Sequence, residues 1–150
     1  MREEVYNYLH EYGFTAIEID KIEDTNDNMF DTNLKEIRKN ITFLQEKYLD
    51  IENIIELVNE NPFMLTEKND RLEALDKIYN IELGLGYEEL KDLMIKNSRT
   101  YTLSPMELQK IIDYLKEHNY NIETIRNFIL KNPQIISLKF NEFIKLLNNN

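Results

Sequence analysis

The chain has 150 residues, a length typical of one domain that buries roughly two-thirds of its unfolded surface. An apolar content of 42% with nine Tyr and seven Phe excludes a disordered tail, and only three Gly and three Pro disfavour an all-β fold. A net charge of −10 opposes general affinity for nucleic acid, and the absence of Cys excludes disulfides and thiolate chemistry.

The first predicted element is a helix over residues 2–12, and Gly13 ends it. Its apolar residues have the i, i+3, i+4, i+7 spacing of one helix face: Val5, Tyr8, Leu9 and Tyr12. The same N-terminal segment lacks the apolar core of a signal peptide, and no run of eighteen apolar residues occurs in the chain. We therefore expect a soluble, cytoplasmic protein.

Four similar stretches follow, separated by 35, 36 and 35 residues: 15–26, 50–61, 86–97 and 121–132. Each begins with a residue type that favours a helix start: Thr15, Asp50, Gly86 and Asn121. Each ends with Asn, which readily adopts the left-handed conformation that closes a helix: Asn26, Asn61, Asn97 and Asn132. Each stretch is therefore predicted to be one short helix.

Apolar residues recur at two positions of these helices, four and seven residues after the cap. The first set is Ile19, Ile54, Leu90 and Ile125, and the second set is Ile22, Leu57, Leu93 and Phe128. Because this spacing places both positions on one helix face, we expect them in the core.

A second helix is predicted in each copy. Five residues after each Asn stands a residue of N-cap type: Asp31, Thr66, Thr102 and Ser137. In the third copy, Ser104-Pro105-Met106-Glu107 is a better start, with Pro at the first helical position. The apolar residues of this helix are also in register: Ile37, Leu72, Leu108 and Phe143.

The repeat predicts an all-α fold, an α-solenoid (superhelix) of about four two-helix repeats of 35–36 residues. We expect a single domain over residues 1–150. Its units are approximately 1–43, 44–79, 80–114 and 115–150.

The stretch from GLGYEEL at 84–90 to FNEFIKLL at 140–147 resembles consecutive repeats of the mitochondrial transcription termination factor (mTERF) family. The resemblance is best over residues 44–147 and weaker over residues 5–43. The resemblance implies two helices and a short 3₁₀ turn per unit, wound around a concave groove that holds nucleic acid in many members. Two copies depart from the pattern, with Ser98 in place of Pro and Asp27 in place of Pro. The family's basic groove is not evident.

Charge is distributed unevenly along the repeat, since the four units carry net charges of −5, −5, −2 and +2. The acidic residues predicted to bind a partner are Glu52, Glu56, Glu60, Glu67, Asp70 and Glu73. The basic residues that could contact phosphates are Lys96, Arg99, Arg126, Lys131 and Lys139. Lys in a last helical turn also complements the helix macrodipole, and acidic residues also form ordinary solvated faces.

No motif for catalysis, a cofactor or a metal is found. Asp24 to Asn28 matches the opening of a calcium loop, but Met29 and Lys35 replace its Gly and Glu. We therefore interpret the chain as a non-catalytic binding module that engages a protein partner through its acidic N-terminal half. The alternative is an mTERF-like nucleic-acid-binding regulator that uses the more basic C-terminal units.

Overall fold

The computed structural model describes residues 2–149, which form α-helices, short 3₁₀ helices and turns, and no strand. The α-helices are α1 (Arg2–Tyr12), α2 (Ala16–Thr25), α3 (Leu34–Glu46), α4 (Ile51–Glu60), α5 (Asn69–Lys77), α6 (Tyr87–Lys96), α7 (Pro105–Glu117), α8 (Ile122–Lys131) and α9 (Phe140–Asn148). The 3₁₀ helices are Met29–Asp31, Pro62–Leu65 and Pro133–Ser137, and a π-helix, Ile78–Glu82, extends α5. The predicted all-α helical-repeat fold is confirmed.

The first helix of each copy begins and ends where the sequence predicts. The Thr15 hydroxyl accepts a bond from the Glu18 N–H at 3.1 Å, and the Glu18 carboxylate accepts one from the Thr15 N–H at 2.8 Å. The side chains of Asp50 and Asn121 likewise accept from the backbone N–H three residues on, at the starts of α4 and α8, without the reciprocal carboxylate bond. These bonds satisfy N–H groups that a helix start leaves without an intrahelical partner.

The predicted core positions are buried, with one exception. Both apolar positions of the first helices have at most 6% exposure in the first three copies, and Phe128 in the fourth is half-buried. The second-helix set Ile37, Leu72, Leu108 and Phe143 is fully buried. None of the helices within residues 2–149 is long and apolar enough to cross a membrane.

The N-caps predicted five residues after each Asn are wrong, and of the predicted second-helix starts only Ser104 is correct. Asp31 and Ser137 end 3₁₀ helices, and α3 instead begins after Asn33, whose side chain accepts from the Lys35 N–H at 2.9 Å. In the third copy the alternative start is correct, since the Ser104 hydroxyl accepts from the Glu107 N–H at 3.3 Å. Because a 3₁₀ helix or turn intervenes, each second helix begins two or more residues later than predicted.

The predicted left-handed conformation of the turn asparagines is also wrong, since φ is between −138° and −125° at all four. Positive φ occurs instead two residues before each first-helix cap: Gly13 at 133°, Tyr48 at 65°, Gly84 at 64° and Asn119 at 69°. A positive-φ residue therefore follows α1 and the second helix of each of the first three copies, whereas the residue after α9, Asn149, has φ −92°.

Internal contacts divide the chain into two compact units, residues 1–69 and residues 70–150. The boundary falls within the second repeat of the sequence, near the start of α5. The first unit has seven basic and sixteen acidic residues, and the second has eleven basic and twelve acidic residues. The expectation of a single domain stays a prediction.

Candidate functional site

A buried asparagine joins two consecutive repeats in the unit 70–150. The side-chain amide of Asn97, which is 3% exposed, donates to the Pro133 carbonyl at 2.9 Å and to the Ser137 hydroxyl at 2.8 Å. Its side-chain oxygen accepts from the Arg99 N–H at 2.9 Å. Because Asn97 follows α6 and Pro133 begins the 3₁₀ helix after α8, these bonds fix the ends of two first helices against each other.

A second bond across the same joint involves the predicted basic residues. The Gln134 side-chain amide donates to the Lys96 carbonyl at 3.0 Å, while Lys131 ends α8 just before this 3₁₀ helix. Lys96 and Lys131 therefore occupy the same position in consecutive repeats, and both are exposed. Together with the exposed Arg99 and Lys139 we call these residues the basic turn surface.

The basic turn surface is available to an anion. Lys96 forms an ion pair with Asp92 at 2.9 Å, but both side chains are more than half exposed. Exposed pairs of this kind contribute little, so a phosphate can compete for the ammonium group. Lys139 uses its backbone N–H, which donates to the Glu142 carboxylate at 2.8 Å at the start of α9, and its side chain is exposed.

Arg126 is not brought together with the other basic residues. It is half-buried, and its guanidinium donates to the Leu83 carbonyl at 3.3 Å, directly after the π-helix. It lies five residues before Lys131 on α8, which places it about 140° around the helix from that residue. Its guanidinium therefore binds at the end of the π-helix and is not part of the basic turn surface.

The asparagine joint also occurs in the unit 1–69. There the Asn26 side-chain amide donates to the Pro62 carbonyl at 3.1 Å and to the Thr66 hydroxyl at 3.0 Å. Asn132, in the last copy of the sequence, is exposed and donates instead to the Phe128 carbonyl at 3.0 Å. The joint is thus a repeated structural element, and the basic side chains around it differ between units.

The structure brings only part of the predicted acidic surface together. Glu52, Glu56 and Glu60 form one exposed ridge on α4, and no ion pair to them is found within residues 2–149. Glu67 lies after the next 3₁₀ helix, and its carbonyl accepts from the buried Asn40 amide at 2.9 Å. The last two members, Asp70 and Glu73, belong to the unit 70–150.

Titratable groups with shifted pKa values have structural partners. Burial raises the pKa of Tyr79 well above its usual value, and its hydroxyl donates to the Thr100 carbonyl. Burial, and then a hydrogen bond to Asp76, raise the pKa of Tyr101. Within the described part of the chain, no group of three or more His, Cys, Asp or Glu residues is placed to hold a metal ion.

The asparagine joint was not predicted from the sequence, although both of its polar positions recur there in register. Local sequence signals predict helix ends at the four Asn residues and N-caps at the Thr and Ser residues five positions later. In the structure, the Asn of one copy donates to the hydroxyl of the next, 40 residues further along the chain. That pairing of two polar positions in register was the available signal.

The chain was compared with models of known protein families. The mTERF family model matches residues 7–148, which is nearly the whole chain. A search of the curated proteins returned no match.

Proposed function

Because the chain belongs to the mTERF family, we propose that it is a helical-repeat regulator that binds nucleic acid through the basic turn surface of residues 70–150. The observation that carries the proposal is the joint between α6 and α8. At this joint Lys96 and Lys131 occupy equivalent positions of consecutive repeats, and both side chains are exposed. Equivalent cations on successive repeats suit a ligand whose own charges recur along a backbone.

Local charge supports this position. Residues 115–150 contain five basic and three acidic residues, the one repeat with a positive balance. In the first repeat the corresponding helix end carries Thr25 in place of Lys, and in the second it carries Glu60. Phosphates are therefore expected at the C-terminal repeats and not at the N-terminal ones.

The number of cations limits the affinity. Four phosphate contacts correspond to a slope of about −3.6 in log K against log salt for duplex DNA, and about −2.8 for a single strand. Binding should therefore be weak at physiological salt and much stronger at low salt. This dependence distinguishes phosphate contacts from apolar docking.

The test is fluorescence anisotropy with labelled single- and double-stranded DNA and RNA at two salt concentrations. We expect the triple variant Lys96→Gln/Arg99→Gln/Lys131→Gln to lose at least about tenfold in affinity at low salt. Its salt slope should fall by about 2 to 3 units, because each lost contact removes roughly one released counterion.

Lys110→Gln is the matched control. Lys110 is as exposed as Lys96 and pairs with Glu107 on its own helix, but it lies on α7, outside the basic turn surface. This variant should change affinity less than about twofold, a surface effect. The proposal is wrong if none of the four nucleic acids changes the anisotropy at low salt, or if both variants weaken binding equally.

A second candidate function is binding of a basic protein partner to the ridge of Glu52, Glu56 and Glu60. Like charges spaced four residues apart destabilise a helix slightly, and no cation in residues 2–149 pairs with these three. The test is capture of a protein partner by the natural chain and by the variant Glu52→Gln/Glu56→Gln/Glu60→Gln. A partner that binds the natural chain stoichiometrically and does not bind the variant would support this function. Capture that survives in this variant would contradict it.

A further inference from the structure

An apolar groove in the unit 70–150 lies apart from the basic turn surface. It is lined by α5, by the π-helix Ile78–Glu82 and by the start of α7, and its volume is about 650 Å³. Sites that bury a sizeable ligand have volumes of roughly 300–1,000 Å³, so the groove has room for several apolar side chains.

Two large apolar side chains project from its walls into solvent. Ile81 is 77% exposed and Met106 is 68% exposed, while Ile78 beside them is buried. Single exposed apolar residues are ordinary, but two that line one groove form a contact surface. Met is unbranched and polarisable, which suits it to pack against varied apolar partners.

The π-helix determines where Ile81 points. In an uninterrupted α-helix, residues 78 and 81 would lie on nearly the same face, whereas here Ile78 is buried and Ile81 is exposed. π-helices are rare in proteins, and those that occur are often found at functional sites. The end of this turn is fixed by the Arg126 guanidinium, which binds the Leu83 carbonyl.

The charged residues of the groove are mainly acidic. Asp70, Glu73 and Glu82 line it together with a single cation, Lys77. Part of the Glu82 charge is balanced, because its carboxylate accepts from the Lys116 ammonium and from the Gln109 amide, each at 2.9 Å. An excess of carboxylates disfavours a phosphate backbone and favours a ligand with positive charge.

We propose that this groove binds the apolar face of an amphipathic helix from a protein partner, whose flanking Lys or Arg residues face Asp70 and Glu73. Helix-in-groove recognition uses apolar anchors at i, i+3, i+4 and i+7, which insert between groove walls. Here Ile81 and Met106 pack against the anchors, and the carboxylates select the charge of the flanks and set the orientation. The interaction is separate from the proposed nucleic-acid function.

The first test uses fluorescent model peptides of about 15 residues with the complete chain. One peptide has Leu at helical anchor positions and Lys elsewhere, a second has Glu in place of Lys, and a third has the Leu–Lys composition in scrambled order. We expect the ordered Leu–Lys peptide to bind most tightly. Ile81→Ser/Met106→Ser should weaken its binding at least about tenfold.

Ile95→Ser is the matched control, since Ile95 is also exposed and lies in the same unit, on α6, outside the groove. It should change peptide affinity less than about twofold. Equal binding of the scrambled peptide or of the Leu–Glu peptide would overturn the proposal. So would undiminished binding by Ile81→Ser/Met106→Ser when circular dichroism shows that the variant is folded.

The second test locates the peptide by NMR of ¹³C-labelled methionine methyl groups. Addition of the Leu–Lys peptide should shift the Met106 methyl resonance and leave that of Met94 unchanged, because Met94 is buried in the same unit. A Met106 resonance that does not move contradicts the proposal. It is also contradicted if Ile81→Ser/Met106→Ser weakens DNA or RNA binding tenfold, which would assign the groove to nucleic acid.

Discussion

At the scale of single residues, a residue with positive φ stands two positions before the N-cap of the first helix in each copy. Two of the four residues there are glycines, and their surroundings differ. A Cβ on Gly84 would lie 3.5 Å from the Arg126 guanidinium, an ordinary contact, whereas a Cβ on Gly13 would lie 3.0 Å from the Ile55 methyl group. Tyr48, at φ 65°, and Asn119, at φ 69°, adopt nearly the φ of Gly84 with a side chain present, and neither approaches the φ of 133° at Gly13.

We expect Gly13→Ala to be the more destabilising of the two glycine substitutions. Gly84→Ala, at φ 64°, should cost about 1–2 kcal/mol, the cost of a left-handed residue with a Cβ. Gly13→Ala should cost about 2–3 kcal/mol, because φ 133° is a region that essentially only Gly adopts and the Ile55 side chain must move. Urea unfolding of the two variants measures both costs, and equal values would contradict this reasoning.

At the scale of elements, the asparagine joint explains why a polar residue is buried at the end of a first helix. A buried amide without partners would be costly, and here its donors are satisfied by the Pro carbonyl and the Thr or Ser hydroxyl of the next copy. The joint therefore orients consecutive helices by hydrogen bonds, while the apolar positions supply most of the attraction.

We expect Asn97→Ala to destabilise the protein by about 2–3 kcal/mol. The substitution removes two bonds between repeats and leaves the half-buried Pro133 carbonyl without its donor. Asn132→Ala is the matched control, since its exposed side chain bonds only to its own helix, and it should cost under about 1 kcal/mol. The free energies of unfolding from denaturant titration decide the matter, and similar losses for both variants would show that the joint contributes nothing specific.

At the scale of the whole molecule, the net charge of −10 opposes the proposed binding of nucleic acid. Most of that excess belongs to residues 1–69, with sixteen acidic and seven basic residues. Long-range repulsion slows association more than it weakens a formed contact, and salt screens it over about 10 Å at 0.1 M.

We therefore expect the variant Glu52→Gln/Glu56→Gln/Glu60→Gln to associate with nucleic acid about two- to fivefold faster at low salt. The acceleration should disappear near 0.2 M salt, because screening removes the long-range component. Stopped-flow anisotropy measures the rates. A change in the dissociation rate alone would indicate that these residues contact the ligand directly.

The amino-acid sequence alone determined the helices and the family. Caps, turn residues and apolar spacing act within one or two helical turns, so α1, α2, α4, α6 and α8 could be located from local signals. The two halves of the candidate site, Lys96 and Lys131, were found as equivalent positions of the repeat. The second helices were predicted to begin too early in the chain. Thr66 and Ser137 are residue types that cap helices, but in the structure their hydroxyls accept a hydrogen bond from an Asn of the preceding copy.

Only the tertiary structure decided which polar residues meet. The Asn97 joint spans 36 to 40 residues, the Arg126 bond spans 43, and the walls of the groove come from α5, the π-helix and α7. Such contacts depend on how the helices pack against each other, and short-range sequence signals do not specify that packing. For this reason the sequence placed Arg126 among the phosphate contacts, while the folded chain uses its guanidinium to hold a π-turn that leaves Ile81 exposed.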